Sequence, residues 1–192
     1  ALGQATGFRF VNGAAYGDER RFPLRVPPGL LLGPAPLAAG VVVAGLASGP
    51  LLLADGRAGA GAAATLAGFP PAAAALRSLF GLSQRWAVLV PAGIVLKDPL
   101  TLVDPVLFLR DRVVSLRPLP FPAAPAADVV DLRLGAARGS LVLELTGEAP
   151  VLRSRGRHRG GETVGARRLA FSPTDAAGLL AEAKERRTAA AG

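Results

Sequence analysis

GLLLGPAPLAAGVVVAGLASGPLLLADGRAGAGAAATLAGFPPAAAAL, residues 29–76, decides the architecture of this chain. Gly29 to Ala54 carries no ionisable side chain for 26 positions, and Ala58 to Leu76 adds 19 more after the turn Asp55-Gly56-Arg57. A bilayer core needs roughly 20 predominantly apolar residues in helical form. Neither stretch shows the polar face that a soluble helix repeats every 3.6 residues. The pattern therefore predicts a two-span transmembrane hairpin over residues 29–83.

A rival interpretation is the buried core of a soluble protein, because Ala, Gly and Pro dominate both stretches and are less lipophilic than Leu, Ile or Phe. Membrane helices tolerate Pro and Gly, since neighbouring helices re-satisfy the freed backbone groups. Small residues also let two helices approach closely. We expect that contact at Gly40-x4-Gly45 and at Gly59-x-Gly61, and we favour the hairpin.

The composition narrows the classes of protein that remain. Hydrophobic residues make up 51% of the 192 positions, and Lys and Arg together number 22, all but Lys97 and Lys184 being Arg. Heavy use of Arg, Ala, Gly and Pro is typical of a GC-rich bacterial genome. The net charge of +8 favours an anionic partner surface but does not choose between lipid and nucleic acid. With no Cys and a single His, we expect no disulfide, no thiol catalysis, no metal site and no cofactor.

Flanking charge predicts the orientation of the hairpin. Cytoplasmic flanks carry the excess of Lys and Arg, and five arginines flank the two spans against one in the turn: Arg20, Arg21, Arg25, Arg77 and Arg85 against Arg57. Both termini are therefore expected in the cytoplasm, with the protein in the bacterial inner membrane. The chain divides into an N-terminal cytoplasmic segment (1–28), the hairpin (29–83), a folded domain (84–187) and a disordered tail (188–192).

From residue 84 the pattern changes to short β-like runs separated by turn residues. Arg85–Val90 and Ile94–Lys97 form a predicted hairpin across Pro91-Ala92-Gly93. Further predicted strands cover residues 106–109, 112–117, 129–134, 140–145 and 168–171, with 129–134 joined to 140–145 as antiparallel neighbours. A last helix starts with Ser172 as N-cap and Pro173 at its first position, and pairs Glu182 with Arg186.

This outline resembles the pleckstrin-homology-like domains of bacterial membrane proteins. The residues that carry the resemblance are RWAVLVPAGIVLK, 85–97, and PVLFLRDRVVSL, 105–116. The resemblance implies a mainly β (α+β) fold: a curled antiparallel sheet or partly open barrel of about seven strands, capped by a C-terminal helix. It also implies binding or assembly in place of catalysis. The proline-rich segment 118–127 is longer than that pattern has.

No set of residues forms a defensible active site, so the chain is not expected to be an enzyme. His158 lies in a Gly- and Arg-rich segment without an orienting partner. Asp98 and Asp104 could form a carboxylate pair, but each precedes a proline and is first a turn signal. Neither a nucleophile elbow nor a phosphate-binding glycine loop is present in the sequence.

An Arg-rich segment is the one candidate site. Six guanidinium groups within 16 residues suit phosphate oxygens: Arg153, Arg155, Arg157, Arg159, Arg167 and Arg168. They predict binding of anionic membrane lipid or of a partner, and the alternative is a solvated loop without a ligand. Nucleic acid is not expected, because the segment lacks aromatic side chains to stack on bases. Two functions follow: a membrane-anchored binding module, or an accessory subunit of a larger bacterial membrane complex.

Overall fold

The computed structural model describes residues 18–120, 126, 128–154 and 160–186. It contains two compact units. The helical unit is Val26–Ser83, and the β-rich unit combines the chain before residue 26 with the chain from Gln84 onward. The apolar stretch is thus an insertion within the β-rich unit. The sequence-based division placed residues 1–28 in a separate segment, whereas the structure gives residues 20–25 to the folded domain.

The helical unit contains a short helix α1 (Pro28–Leu31) and two long helices, α2 (Pro34–Ala54) and α3 (Ala58–Ser83). At 1.5 Å per residue the long helices span about 31 and 39 Å. Among the described residues one helical stretch, Pro28–Ala54, is long and apolar enough to cross a membrane, with a mean hydropathy of 2.1. The Ala- and Gly-rich α3 does not reach that standard.

Glycines bring α2 and α3 into close contact. A Cβ on Gly45 would lie 2.5 Å from the carbonyl oxygen of Gly68, and a Cβ on Gly49 would lie 1.9 Å from Thr65 Oγ1. One turn further along, a Cβ on Gly61 would lie 2.6 Å from Leu53 Cγ. Any larger side chain at these positions would push the helices apart.

The expected small-residue contact is confirmed in part. Gly45 and Gly61 lie in the contact, but Gly40 and Gly59 have open space beside them. The contact residues Gly45 and Gly49 are four apart, which places them on one face of the helix. A separation of four residues, from Gly45 to Gly49, therefore identifies the contact face of α2 better than the separation of five from Gly40 to Gly45.

The first sheet is antiparallel, in the order β1-β2-β3-β4. Its strands are β1 (Arg20–Pro23), β2 (Trp86–Val90), β3 (Gly93–Lys97) and β4 (Val106–Leu109). The predicted β2–β3 hairpin is confirmed. Pro23 pairs with Trp86, and the Leu24 backbone N–H donates to the Arg85 carbonyl at 3.0 Å. The helical unit therefore occupies the loop position of what is otherwise a β-hairpin.

The second sheet has the order β5-β7-β8-β6. It contains β5 (Val113–Pro118), which follows a 3-10 turn at Arg110–Arg112, β6 (Val129–Asp131), β7 (Leu141–Ser154) and β8 (Gly161–Phe171). β5 and β8 flank β7 in antiparallel pairing, while β6 pairs with β8 in parallel.

One hydrophobic core joins the inward sides of both sheets to the C-terminal helix α4 (Ala176–Glu185). Its fully buried members come from β2, β3, β7, β8 and α4: Leu89, Ile94, Leu96, Leu141, Leu143, Leu169, Phe171 and Leu179. β1 adds Phe22, which is 3% exposed. The N-terminal strand is thus part of the core as well as of the sheet.

The β-rich domain with a C-terminal helix is confirmed, but the predicted sheet differs in two respects. The described strands form two four-stranded sheets that do not close into a barrel. Residues 129–134 do not pair with 140–145: β6 ends at Asp131 and pairs with β8. Leu134 and Gly135 then adopt positive φ angles of 52° and 86°, which turn the chain away from an extended path.

The last helix begins later than predicted. Asp175 is its N-cap, and the Asp175 carboxylate accepts a hydrogen bond from the Gly178 backbone N–H at 2.8 Å. Ser172 is instead buried, and its hydroxyl contacts the Ser140 hydroxyl at 2.9 Å. The predicted ion pair within the helix is confirmed, with Arg186 Nε 2.7 Å from Glu182 Oε1.

Candidate functional site

The structure places three of the six candidate arginines on β7 and β8. Arg153 is exposed near the end of β7 and pairs in register with Glu162. Arg167 and Arg168 lie on β8. The candidates Arg155, Arg157 and Arg159 fall outside the described residues, and so does His158.

Arg153 and Arg168 lie on opposite sides of the second sheet. Val151 is buried and pairs with Val164, and Arg153 follows two positions later, so strand alternation places Arg153 on the inward side of the sheet. Arg168 lies on the outer side, where it pairs with Glu144. Arg153 and Arg168 therefore do not belong to one basic face.

Arg168 belongs to an ion network on the outer face of the second sheet. Glu144 lies at its centre: Arg168 Nη2 is 3.0 Å from Glu144 Oε1, and Arg117 Nη2 is 2.9 Å from Glu144 Oε2. Ser115 donates its hydroxyl to the same carboxylate at 3.2 Å. Arg168 Nη1 lies 3.0 Å from Asp128 Oδ2. The hydrogen bond from Arg168 lowers the pKa of Glu144, assisted by Ser115 and by the charges of both arginines.

This network predicts an acid-sensitive contribution to stability. Because the pKa of Glu144 is lowered in the folded state, its stabilisation is present above the ordinary carboxyl range of about pH 4 and is lost as the pH falls through the lowered value. We expect Glu144→Gln to lower the melting temperature at pH 7 and the difference to shrink towards pH 2. Glu148→Gln, also on β7, is the control. Equal losses at both pH values would contradict the assignment.

A second carboxylate, Asp131, is held by the arginine two residues later. Burial works to raise the pKa of Asp131, but hydrogen bonds from the Arg133 side chain and backbone outweigh it, and the charges of Arg133 and Arg153 add to the lowering. Arg133 Nε lies 3.0 Å from Asp131 Oδ1. The positive charge of Arg153 thus acts on a carboxylate of its own domain.

Asp98, one of the two aspartates considered as a carboxylate pair, forms a buried ion pair with Arg85. Arg85 Nε and Nη2 each lie 2.7 Å from an Asp98 oxygen, and both side chains are at most 2% exposed. Asp98 also accepts from the Thr101 hydroxyl at 2.8 Å, and Arg85 donates to the Arg25 carbonyl at 2.7 Å. Asp104 is exposed. The bidentate pair joins the residue before β2 to the residue after β3, and the hydrogen bond to Arg25 joins Arg85 to the chain after β1.

Further charged side chains of the described residues meet at the start of β1. A shallow cleft at the start of β1 is lined by three acidic residues, three arginines and one proline: Asp18, Glu182, Glu185, Arg20, Arg110, Arg186 and Pro91. Glu182 is paired with Arg186 and Arg20. Among the described residues no group of three His, Cys, Asp or Glu side chains could hold a metal ion.

The outer face of the first sheet is apolar, and sequence reasoning did not single it out. Its side chains alternate with the buried ones along each strand. All are apolar except Arg21 and Lys97: Arg21, Pro23, Trp86, Val88, Val90, Val95, Lys97, Leu107 and Leu109. Leu107 and Leu109 are 46% and 45% exposed. The continuous apolar runs VLFL and WAVLV could have indicated this apolar outer face, because the strands of a sheet with one solvated face alternate apolar with polar residues.

Comparisons with known proteins give no family for this chain: no family model, no curated protein and no solved structure matches it. The resemblance to pleckstrin-homology-like domains therefore stays a prediction.

Proposed function

We propose that this protein is a non-enzymatic, membrane-anchored module whose β-rich unit binds anionic lipid headgroups or a partner protein. The observation that carries the proposal is the helical stretch Pro28–Ala54, long and apolar enough to cross a bilayer. Its large side chains are solvent-exposed, with Leu37, Val43 and Leu51 at 72%, 67% and 68%. Lipid tails would cover such residues, whereas exposure to water would be unfavourable.

Strand pairing supports a return span in place of a single crossing. β1 precedes the helices, β2 follows them, and the two are hydrogen-bonded neighbours in one sheet. The chain must therefore leave the membrane on the side where it entered. α3 supplies a second helix of sufficient length, and its glycine contacts with α2 are those that stabilise helix pairs in lipid.

Flanking charge supports a cytoplasmic position for the β-rich unit. Arg20, Arg21 and Arg25 lie before the hairpin and Arg77 and Arg85 near its return, and a cytoplasmic excess of Arg is the usual pattern. The anionic surface of that leaflet attracts each nearby Arg by about 1 kcal/mol. We assign headgroup binding to Arg153, Arg155, Arg157, Arg159 and Arg167. Arg168 contributes less, because two carboxylates already engage it.

Headgroup binding is testable in a soluble variant, here called the bridged variant, in which a short Gly/Ser linker replaces Val26–Ser83. It is expected to bind vesicles of phosphatidylglycerol and phosphatidylcholine, and to bind pure phosphatidylcholine weakly. Arg153→Gln with Arg157→Gln should reduce the affinity by about 2 kcal/mol in total, at about 1 kcal/mol per charge. Arg117→Gln with Lys184→Gln removes the same charge elsewhere. Equal losses in the two double variants would contradict this site.

An accessory subunit of a larger membrane complex is the second candidate. Gly40 and Gly59 favour it, since both have open space beside them and would permit close approach of further helices. Native mass determination from mild detergent separates the candidates. A protein alone or in a small homo-oligomer supports the module, and a defined hetero-complex supports the subunit.

A further inference from the structure

The two outer sheet faces of the β-rich unit differ in chemistry. The second sheet carries the ion network around Glu144, as a face in contact with water does. The first sheet presents Trp86, Val88, Val95 and Leu107 at the corresponding outward positions. A sheet that is apolar on both faces is normally covered on both. The inward side is covered by the core, so the outward side requires a second layer.

Chain connectivity limits where that layer is found. Trp86 follows the end of α3 at Ser83 by three residues, which span about 10 Å even when extended. Pro23, its register partner on β1, precedes α1 by five residues. If the helices enter the bilayer, this end of the first sheet stays close to the headgroup layer. Trp, like Tyr, is enriched at that depth of a membrane.

Charge around the apolar face fits an anionic surface. Among the described outward positions of the first sheet, Arg21 and Lys97 are the charged side chains and none is a carboxylate. Glu19, just before β1, lies 3.3 Å from Arg21 and offsets part of its charge. Beyond the end of β4, at the opposite edge of the sheet from Arg21, Arg110 and Arg112 are exposed with Asp111 between them. Arg110 also lines the cleft that contains Asp18, Glu182 and Glu185. Apolar side chains bordered by Lys and Arg are the pattern of protein surfaces that lie in a membrane interface.

We infer that the outer face of the first sheet lies on the anionic headgroup layer of the bilayer that the hairpin enters. This inference rests on the proposed anchoring and adds a lipid-contacting face away from the Arg-rich segment. The face has its apolar side chains in the interface and its basic residues at the phosphates. The ionic face of the second sheet points to water.

The test uses the full chain in vesicles of phosphatidylglycerol and phosphatidylcholine, with single cysteines carrying an environment-sensitive fluorophore. The natural sequence has no Cys, so no background labelling arises. Three positions are compared: Val43→Cys on α2, Leu107→Cys on the first sheet and Thr146→Cys on the outer side of β7. Lipids with a nitroxide near the headgroup, or deeper in the chain, serve as quenchers.

Leu107 is expected to be quenched several-fold more by the headgroup nitroxide than Thr146, and its emission to shift to the blue. Quenching at Leu107 no greater than at Thr146, while Val43 is quenched by the deep nitroxide, overturns this inference and leaves anchoring intact. A blue-shifted Leu107 that lipid does not quench also overturns it, because another protein surface then covers the face. Loss of quenching at Val43 overturns the anchoring itself.

Discussion

Asp98→Ala is expected to lower the free energy of unfolding of the β-rich unit by about 3–5 kcal/mol. The substitution leaves the Arg85 guanidinium, 2% exposed, without its carboxylate. It also removes the acceptor for the Thr101 hydroxyl and the Leu100 backbone N–H. A buried charge without its partner is among the most destabilising single changes. Thermal unfolding of the full chain in mild detergent, followed by the fluorescence of Trp86, measures the effect.

Two further variants separate the ion pair from a general effect of the substitution. Asp104→Ala removes an exposed aspartate six residues away and should change the stability by less than about 0.5 kcal/mol. Arg85→Met with Asp98→Leu removes both charges and should be less destabilising than Asp98→Ala, since no charge is left buried. If the double variant is the least stable of the three, the prediction is contradicted, because the cost would then not come from an unpaired buried charge.

The second large effect concerns β1. Residues 84–192 alone are expected to be unfolded or aggregated, because they lack the edge strand and the buried Phe22 and Leu24. Joining residues 18–25 to residue 84 through a short linker should restore a folded, β-rich domain. The linker has a short distance to cover, since the Leu24 backbone N–H and the Arg85 carbonyl are 3.0 Å apart. Circular dichroism and size-exclusion chromatography of the two fragments make the comparison.

Phe22→Ala in the linked fragment isolates the contribution of the core. A large-to-small change of a buried Phe typically lowers stability by about 3–5 kcal/mol. Arg21→Ala, at the outward-facing neighbour, is the matched control. Folding of residues 84–192 without β1, at the stability of the linked fragment, would contradict the architecture.

Sequence periodicity predicted the local elements well where the pattern was long or the turn short. The apolar stretch gave the two long helices, and Pro91-Ala92-Gly93 gave the β2–β3 hairpin. The fold was predicted less well where partners are distant. Arg20–Pro23 has few apolar residues and reads as a flank of the hairpin, yet it pairs with a strand more than sixty residues later.

The candidate site was also predicted less well where its partners are distant in the sequence. The candidate arginines cluster in sequence, but strand alternation places Arg153 on the inward side of β7, whereas Arg168 lies on the outer side of β8, where distant carboxylates engage it. Arg85 and Asp98 were each assigned a local role, one as a flanking charge and one as a turn residue. Their ion pair depends on the antiparallel register of β2 and β3, which composition does not encode.

Cysteine accessibility tests most directly whether the hairpin crosses the membrane with the β-rich unit inside. Arg57→Cys is placed in the turn, because Gly56 has a φ of 77° that a side chain would strain. Lys184→Cys is placed on the exposed side of α4. In intact bacterial spheroplasts an impermeant maleimide should label Arg57→Cys at once, and Lys184→Cys only after lysis. Equal labelling of both before lysis, or labelling of Lys184→Cys alone, would contradict the account.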